Sequence, residues 1–313
     1  MDQRKRKFAA ADRRQAVAWQ ESSRKRLFGL LKLADLVEAE RAGRGGRPGI
    51  PLKPAVVATK RLGRYTRHDL RILSTPTRRI DARMTVPSPP AGGKRPAVVC
   101  IHGHGDSRSK VYDRGSIYRG FARSLAERGY VTIAADVGQH EVYEKSRTLV
   151  GERLWDLMRC VSYLTTRPEV DAERIGCAGL SLGGEMAMWL GAMDTRVKAT
   201  VSSGFLTTGA NMRREHCPCW EFPGLTESFD FADLYSLIAP RHLCCQNGRK
   251  ERAPEGFPVP IARGAFAEIQ ACYKVFGEPG RAVRAVHPAG HVFDVPSAVA
   301  FLDKALRPEP APR

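Results

Sequence analysis

No apolar run among the 313 residues approaches the ~18 that a membrane-spanning helix needs, so no span is expected. The N-terminus, "MDQRKRKFAAADRRQ", carries charge without the apolar segment of a secretory signal, and a cytoplasmic location is the expectation. Acidic residues are scarce beside basic ones: 33 Asp and Glu against 51 Lys and Arg, a formal charge of +18. The excess is Arg-rich and spread along the chain, densest in the first fifty residues. It reads as a solvated basic surface, and nucleic acid is not an expected partner. The eight cysteines do not form a disulfide framework. Cys100, Cys177, Cys244 and Cys245 fall inside runs that read as buried strands, where a reduced thiol packs as a small hydrophobe. No internal repeat is visible.

What is present divides the chain. Residues 1–45 read as helical, with Val17, Leu27, Leu30, Leu31, Ala34 and Val37 forming an amphipathic stripe, and "AGRGGRPGIP" breaks the pattern. Residues 56–87 alternate polar and apolar positions and read as a two-stranded hairpin. From residue 96 onward, continuous apolar strands such as "PAVVCI", "YVTIAADV" and "RIGCAG" alternate with amphipathic segments. That pattern predicts an α/β fold, a mostly parallel sheet of about eight strands with helices on both faces. The expected division is a basic helical extension and linker over 1–48 and an α/β domain over 49–306. An irregular insertion is expected over 209–236 and a disordered tail over 307–313.

"GLSLGG" (179–184) falls between a predicted strand and a predicted helix, the setting of a nucleophile elbow. The turn is too sharp for side chains beside Ser181, and it exposes that hydroxyl at the N-terminal end of the next helix. A serine hydroxyl needs a base, and the chain order of such sites is nucleophile, acid, histidine. His291, in a loop after the last predicted strand, fits the base better than His216, His242 or His287. The acid is expected after "RHLCCQNG": Glu251 is favoured, Glu255 is the alternative and Asp294 comes third. "HGHG" (102–105) supplies backbone donors for an oxyanion, the His104 N–H or alternatively the Gly103 N–H, paired with the Leu182 N–H. "HCPCW" places His216, Cys217 and Cys219 close together. With no second Cys/His pair at structural spacing the set reads as incomplete, and neither a metal nor a cofactor is expected. Trp220, Phe222 and Asp136 are candidate pocket residues.

These residues resemble the α/β-hydrolase superfamily, within it the acetyl xylan esterase, cephalosporin C deacetylase and dienelactone hydrolase-like branch. The matching pieces are "HGHGDS", "RPEVDAERIGCAGLSLGGEMA", "DTRVKATVSSG", "HCPCWEFPGL", "LIAPRHLCCQNGRKE" and "GHVF". The resemblance implies an α/β-hydrolase fold and a hydrolase of short acyl esters, often on sugars. There are departures. Glu251 stands where the branch usually has Asp, and dienelactone hydrolases proper carry Cys where this chain has Ser181. Glucuronoyl esterases place a charged residue after the serine, where this chain has Leu182. The expected activity is serine hydrolysis of short-chain acyl esters, with a small-molecule ester as partner; the oligomeric state stays open. Two readings compete: hydrolysis of small amides or peptides by the same machinery, and an inactive hydrolase-fold protein binding anionic partners through its basic N-terminal helix.

Overall fold

Runs such as VVCI (98–101) and IGCA (175–178) are apolar at successive positions, and only a strand covered on both faces buries them. In the computed structural model, which describes residues 4–44, 49–88 and 93–307, both runs lie near the centre of one nine-stranded sheet. Its strands are β1 (Ala55–Arg61), β2 (Tyr65–Leu73), β3 (Arg79–Pro87), β4 (Arg95–Ile101), β5 (Val131–Ala135), β6 (Val170–Leu180), β7 (Val197–Ser203), β8 (His242–Gly248) and β9 (Ala282–His287). The spatial order is β1-β2-β3-β5-β4-β6-β7-β8-β9. The pairs β1–β2, β2–β3 and β3–β5 are antiparallel, and the remaining neighbours are parallel. The ninth strand, beyond the expected eight, is β1. It turns the expected hairpin into three antiparallel strands and lies at the sheet's edge with every residue exposed, so no alternation marks it.

Nine helices are described: α1 (Arg13–Leu30), α2 (Ala34–Arg44), α3 (Phe121–Glu127), α4 (Leu149–Thr165), α5 (Leu182–Met193), α6 (Gly209–Glu215), α7 (Phe231–Ser236), α8 (Val259–Val275) and α9 (Val295–Leu306). α3 and α9 cover one face of the central strands with Phe121, Leu125, Ala298 and Leu302. α4, α5, α7 and α8 build the larger core on the other face, joined by the two N-terminal helices. The segment over 209–236 is therefore not wholly irregular: it holds α6 and α7, and α7 opens on a reciprocal Asp230–Asp233 capping box. Both helices are too short for periodicity to reveal. Residues 45–48 of the expected linker and 308–313 of the expected tail lie outside the described residues.

The N-terminal helices follow a different stripe from the expected one. Lys32 sits at φ 59° and ends α1, so Leu30 and Val37 do not share a helix. The face α1 buries is Ala16, Gln20, Ser23, Leu27 and Phe28, while Val17 is exposed. Gln20 donates from Nε2 to the carbonyls of Ser236 (3.1 Å) and Ala239 (2.7 Å), and Arg24 donates to the carbonyl of Ala192 at 2.8 Å. Gln20→Ala would leave the buried Ala239 carbonyl without a donor among the described residues and is expected to cost about 1–3 kcal/mol, read by urea denaturation. An unchanged midpoint would mean that α1 is only tethered to the sheet. Among the described residues no helix is long and apolar enough to cross a membrane.

Candidate active site

β6 ends at Leu180 and α5 begins at Leu182, which leaves Ser181 alone in the turn at φ 63°, ψ −126°. A non-glycine residue held there stores strain of about 1–3 kcal/mol and persists only where its surroundings impose it. Here the Ser181 N–H donates to the Ser203 carbonyl at 3.0 Å, and the Ser181 carbonyl accepts the Glu185 N–H at 2.9 Å. The turn delivers Ser181 to the wall of a cavity of about 500 Å³. Leu182 opens α5, so its N–H has no intrahelical acceptor.

The same cavity is lined by His291, from the loop between β9 and α9, and by Glu251, just past β8. His291 Nδ1 lies 3.0 Å from Glu251 Oε2. The buried carboxylate also accepts the Gly248 N–H on Oε1 and the Phe257 N–H on Oε2, each at 3.1 Å. Glu251 is thereby fixed on both oxygens, and it holds the neutral imidazole as the Nδ1–H tautomer with Nε2 as the basic nitrogen. Phe257 stacks on the ring with centroids 5.7 Å apart. Behind the ring, Gly204 lies at φ +55°, where a Cβ would come within 2.8 Å of His291 Cε1. Glu255 lines the cavity as well, but the carboxylate that accepts from His291 Nδ1 is that of Glu251. Asp294 instead caps the start of α9 and bonds Ser297.

The HGHG segment divides its labour. His102 is fully buried: its Nδ1 pairs with the Gly103 carbonyl at 2.8 Å, and its Nε2 accepts the Val137 N–H at 3.1 Å. Burial lowers its pKa and keeps the ring neutral. The Gly103 N–H donates to Tyr118 Oη at 2.6 Å, and that hydroxyl donates to Asp106 at 2.7 Å. Of the two donors weighed for the oxyanion, Gly103 is therefore engaged. The His104 N–H has no acceptor among the described residues, and His104 lines the cavity beside Ser181. Tyr118 was not legible as a support of this loop, because nothing in its local sequence marks it.

Leu182, Phe205, Met212, Trp220 and Phe257 make the apolar part of the wall, with Glu215, Lys250, Arg252 and Glu255 among the charged lining residues. Two candidate pocket residues lie elsewhere. Phe222 is buried against Trp189, with ring centroids 5.9 Å apart. Asp136 faces a separate cavity with Arg78 and Gln139; it accepts the Arg108 N–H at 2.6 Å and pairs with the Arg108 guanidinium. Asp136 thus fastens the loop after β4 and does not face Ser181. Glu185, in the first turn of α5, is buried in the wall; burial pushes its carboxyl up to about 7, and its Oε1 has no hydrogen-bond partner among the described residues.

The cysteine set is larger than the sequence suggested. His216 turns away to Asn211 and Phe257, but Cys217 and Cys219 meet His104 and His140. One ligand atom of each of these four residues lies within 4.8 Å of the others. His140 carries no local signal: it stands alone in "VGQHE", on a loop distant in sequence from the other three. Partial desolvation of the ring and the neighbouring Arg153 push His104 down to about 4, although the residue as a whole is exposed.

Comparison with known proteins agrees with this architecture. Residues 80–206 match the dienelactone hydrolase family, a stretch that includes Ser181 and ends before Glu251 and His291. The Bacillus subtilis protein YtaP, which bears a hydrolase name, is 31% identical over 179 residues; the match covers 48% of this chain and 58% of that protein. The chain thus spans little more than half the length of that relative. A Bacteroides fragilis structure named for acetyl xylan esterase superposes with a TM-score of 0.75 at 17% identity, covering 96% of this chain and 91% of that one. Acetyl xylan esterase 1 of a Thermoanaerobacterium species superposes at 0.58 with 18% identity, over 87% and 94% of the two chains. Residues 80–206 are thus similar to the dienelactone hydrolase family, and the sheet with its covering helices has the fold of these two solved structures.

Proposed function

We propose that the protein is a serine hydrolase of short-chain acyl esters, acetyl-type esters first, with acylated carbohydrates as the candidate substrate class. The observation that carries this reading is the His291–Glu251 pair at 3.0 Å in the same cavity as Ser181 on its strained turn. Ser181 Oγ attacks the ester carbonyl carbon while His291 Nε2 takes the hydroxyl proton. Glu251 stabilises the resulting imidazolium. The oxyanion accepts the N–H groups of His104 and Leu182, each donor worth about 2.7–4 kcal/mol in comparable sites. Collapse of the intermediate breaks the ester C–O bond, and the alcohol leaves with the proton from His291. Water, deprotonated by His291, then releases the acid and restores Ser181.

The lining supports the choice of substrate. Phe205, Met212, Trp220 and Phe257 offer apolar surface for an acyl group, and Lys250, Arg252 and Glu255 offer polar partners for a hydroxylated alcohol moiety. The test is hydrolysis of p-nitrophenyl acetate, butyrate and octanoate, with peptide mass mapping after treatment with a fluorophosphonate. Turnover favouring acetate and butyrate, with the phosphonate on Ser181, is the expected result. An inert protein, or a label on another residue, would sink the reading.

A further inference from the structure

Three loops at the C-terminal edge of the sheet converge beside the cavity, whose wall includes His104, Cys217 and Cys219. His104 follows β4, His140 follows β5, and Cys217 and Cys219 flank Pro218 in the turn after α6. Their ligand atoms all lie within 4.8 Å of one another. His104 Nε2 is 2.9 Å from Cys219 Sγ, and the rings of His104 and His140 stack with centroids 5.1 Å apart. With Zn–S bonds of about 2.3 Å and Zn–N bonds of about 2.0–2.1 Å, a tetrahedral zinc site has edges of roughly 3.3–3.8 Å. Four atoms already gathered this closely can surround such an ion by small side-chain rotations.

We propose that His104, His140, Cys217 and Cys219 bind one zinc ion in a Cys2His2 site that clamps the HGHG loop to the 209–236 segment. Two thiolates and two imidazoles are a donor set that suits zinc above the hard cations. The surroundings supply a partner for a ligand sulfur. Arg153 is fully buried and forms no ion pair with a carboxylate among the described residues; its Nη1 lies 3.6 Å from Cys219 Sγ. A buried guanidinium placed on a sulfur orients it, as an outer-shell partner does. His104, His140 and Cys217 are exposed, which leaves an entry path for the ion.

The site is closed. Four protein ligands leave no open position for a reacting water, so the ion is structural. Binding exchanges the two thiol protons for the cation. Its consequence for catalysis rests on the reading of Ser181 as nucleophile: the residue whose ring holds the metal is the one whose backbone N–H faces the oxyanion. The site itself does not depend on that reading.

The test begins with the metal content of the purified chain after reduction with a phosphine and reloading with zinc, then removal of excess ion. The comparison set is wild type, Ser181→Ala, His140→Ala and Cys219→Ser. Wild type and Ser181→Ala are expected to hold one zinc per chain. His140→Ala and Cys219→Ser are expected to bind it more weakly by more than about tenfold, the range that loss of even an outer-shell partner reaches. Cobalt in place of zinc should give a thiolate charge-transfer band and the intense visible bands of a tetrahedral site. His140 is exposed, so its variant tests the site without disturbing the core, and circular dichroism checks the fold of Cys219→Ser. Less than stoichiometric zinc in the reduced wild type, octahedral cobalt spectra, or variants that bind as wild type does would each overturn the proposal. Loss of esterase activity in Ser181→Ala with full zinc content would separate the two readings.

Discussion

Ser181→Ala is expected to lower kcat for p-nitrophenyl acetate by on the order of 10⁶, while the unfolding midpoint stays close to that of wild type. The hydroxyl reaches into the cavity and makes no described hydrogen bond, and alanine adopts the same strained turn at no greater cost. His291→Ala should lose about as much, and the double variant little more, because a nucleophile without its base is as inert as a base without its nucleophile. Glu251→Gln should lose about 10⁴ in kcat, the scale seen when a triad carboxylate becomes an amide and the tautomer is misdirected. Its stability should change as well. Both Glu251 oxygens accept backbone N–H groups, from Gly248 and Phe257, so the amide NH2 of glutamine must face a donor or the imidazole N–H. That mismatch is expected to cost about 1–3 kcal/mol in urea denaturation, which separates Glu251→Gln from Ser181→Ala. Glu255→Gln is the control and should stay within a few-fold of wild type. A large loss in Glu255→Gln with near-normal Glu251→Gln would show that the acid had been assigned to the wrong side of the loop.

The residues that were legible are those whose local pattern and long-range role coincide. "GLSLGG" between an apolar strand and a helix pattern fixes a turn whatever the rest of the chain does, and the alternation of buried strands with amphipathic helices fixes a parallel sheet. Where local pattern and role diverge, the sequence misleads. The α1 face is anchored by Gln20, which no search for apolar periodicity selects, since its burial depends on carbonyls contributed from α7 and its following turn. Trp220 and Phe222 are two positions apart, yet Trp220 reaches the cavity and Phe222 packs on Trp189. Asp136 ends a strand at the correct edge of the sheet, but Arg108 draws it into a different cavity. The two histidines of "HGHG" look equivalent and are not: His102 is a buried brace, whereas His104 stands among the cysteines. Such a set, drawn from three loops, has no spacing to detect.

Gly183→Ala is expected to destabilise the protein by about 3 kcal/mol, the upper end of typical overpacking costs, and to lower kcat by about 10² at temperatures where the variant stays folded. α5 starts where the backbones of β4 and β7 close around it. A Cβ on Gly183 would lie 2.8 Å from the His102 carbonyl oxygen and closer still to that of Ile101. Neither obstacle can rotate away, because both belong to the main chain at the end of a central strand. Relief requires α5 and the HGHG segment to separate, and those two elements carry the Leu182 and His104 donors. An oxyanion site widened by even 1 Å loses most of its advantage, so the stability loss and the rate loss have one cause. Gly29→Ala supplies the opposite sign. Gly29 lies in α1 with nothing within 4 Å of the added methyl, so alanine there should stabilise by up to about 1 kcal/mol through helix propensity alone. Urea denaturation of the two variants side by side measures this. Equal shifts in the same direction would mean that helix propensity, and not the close approach of α5 to β4, governs Gly183, and the rate loss should then vanish with it.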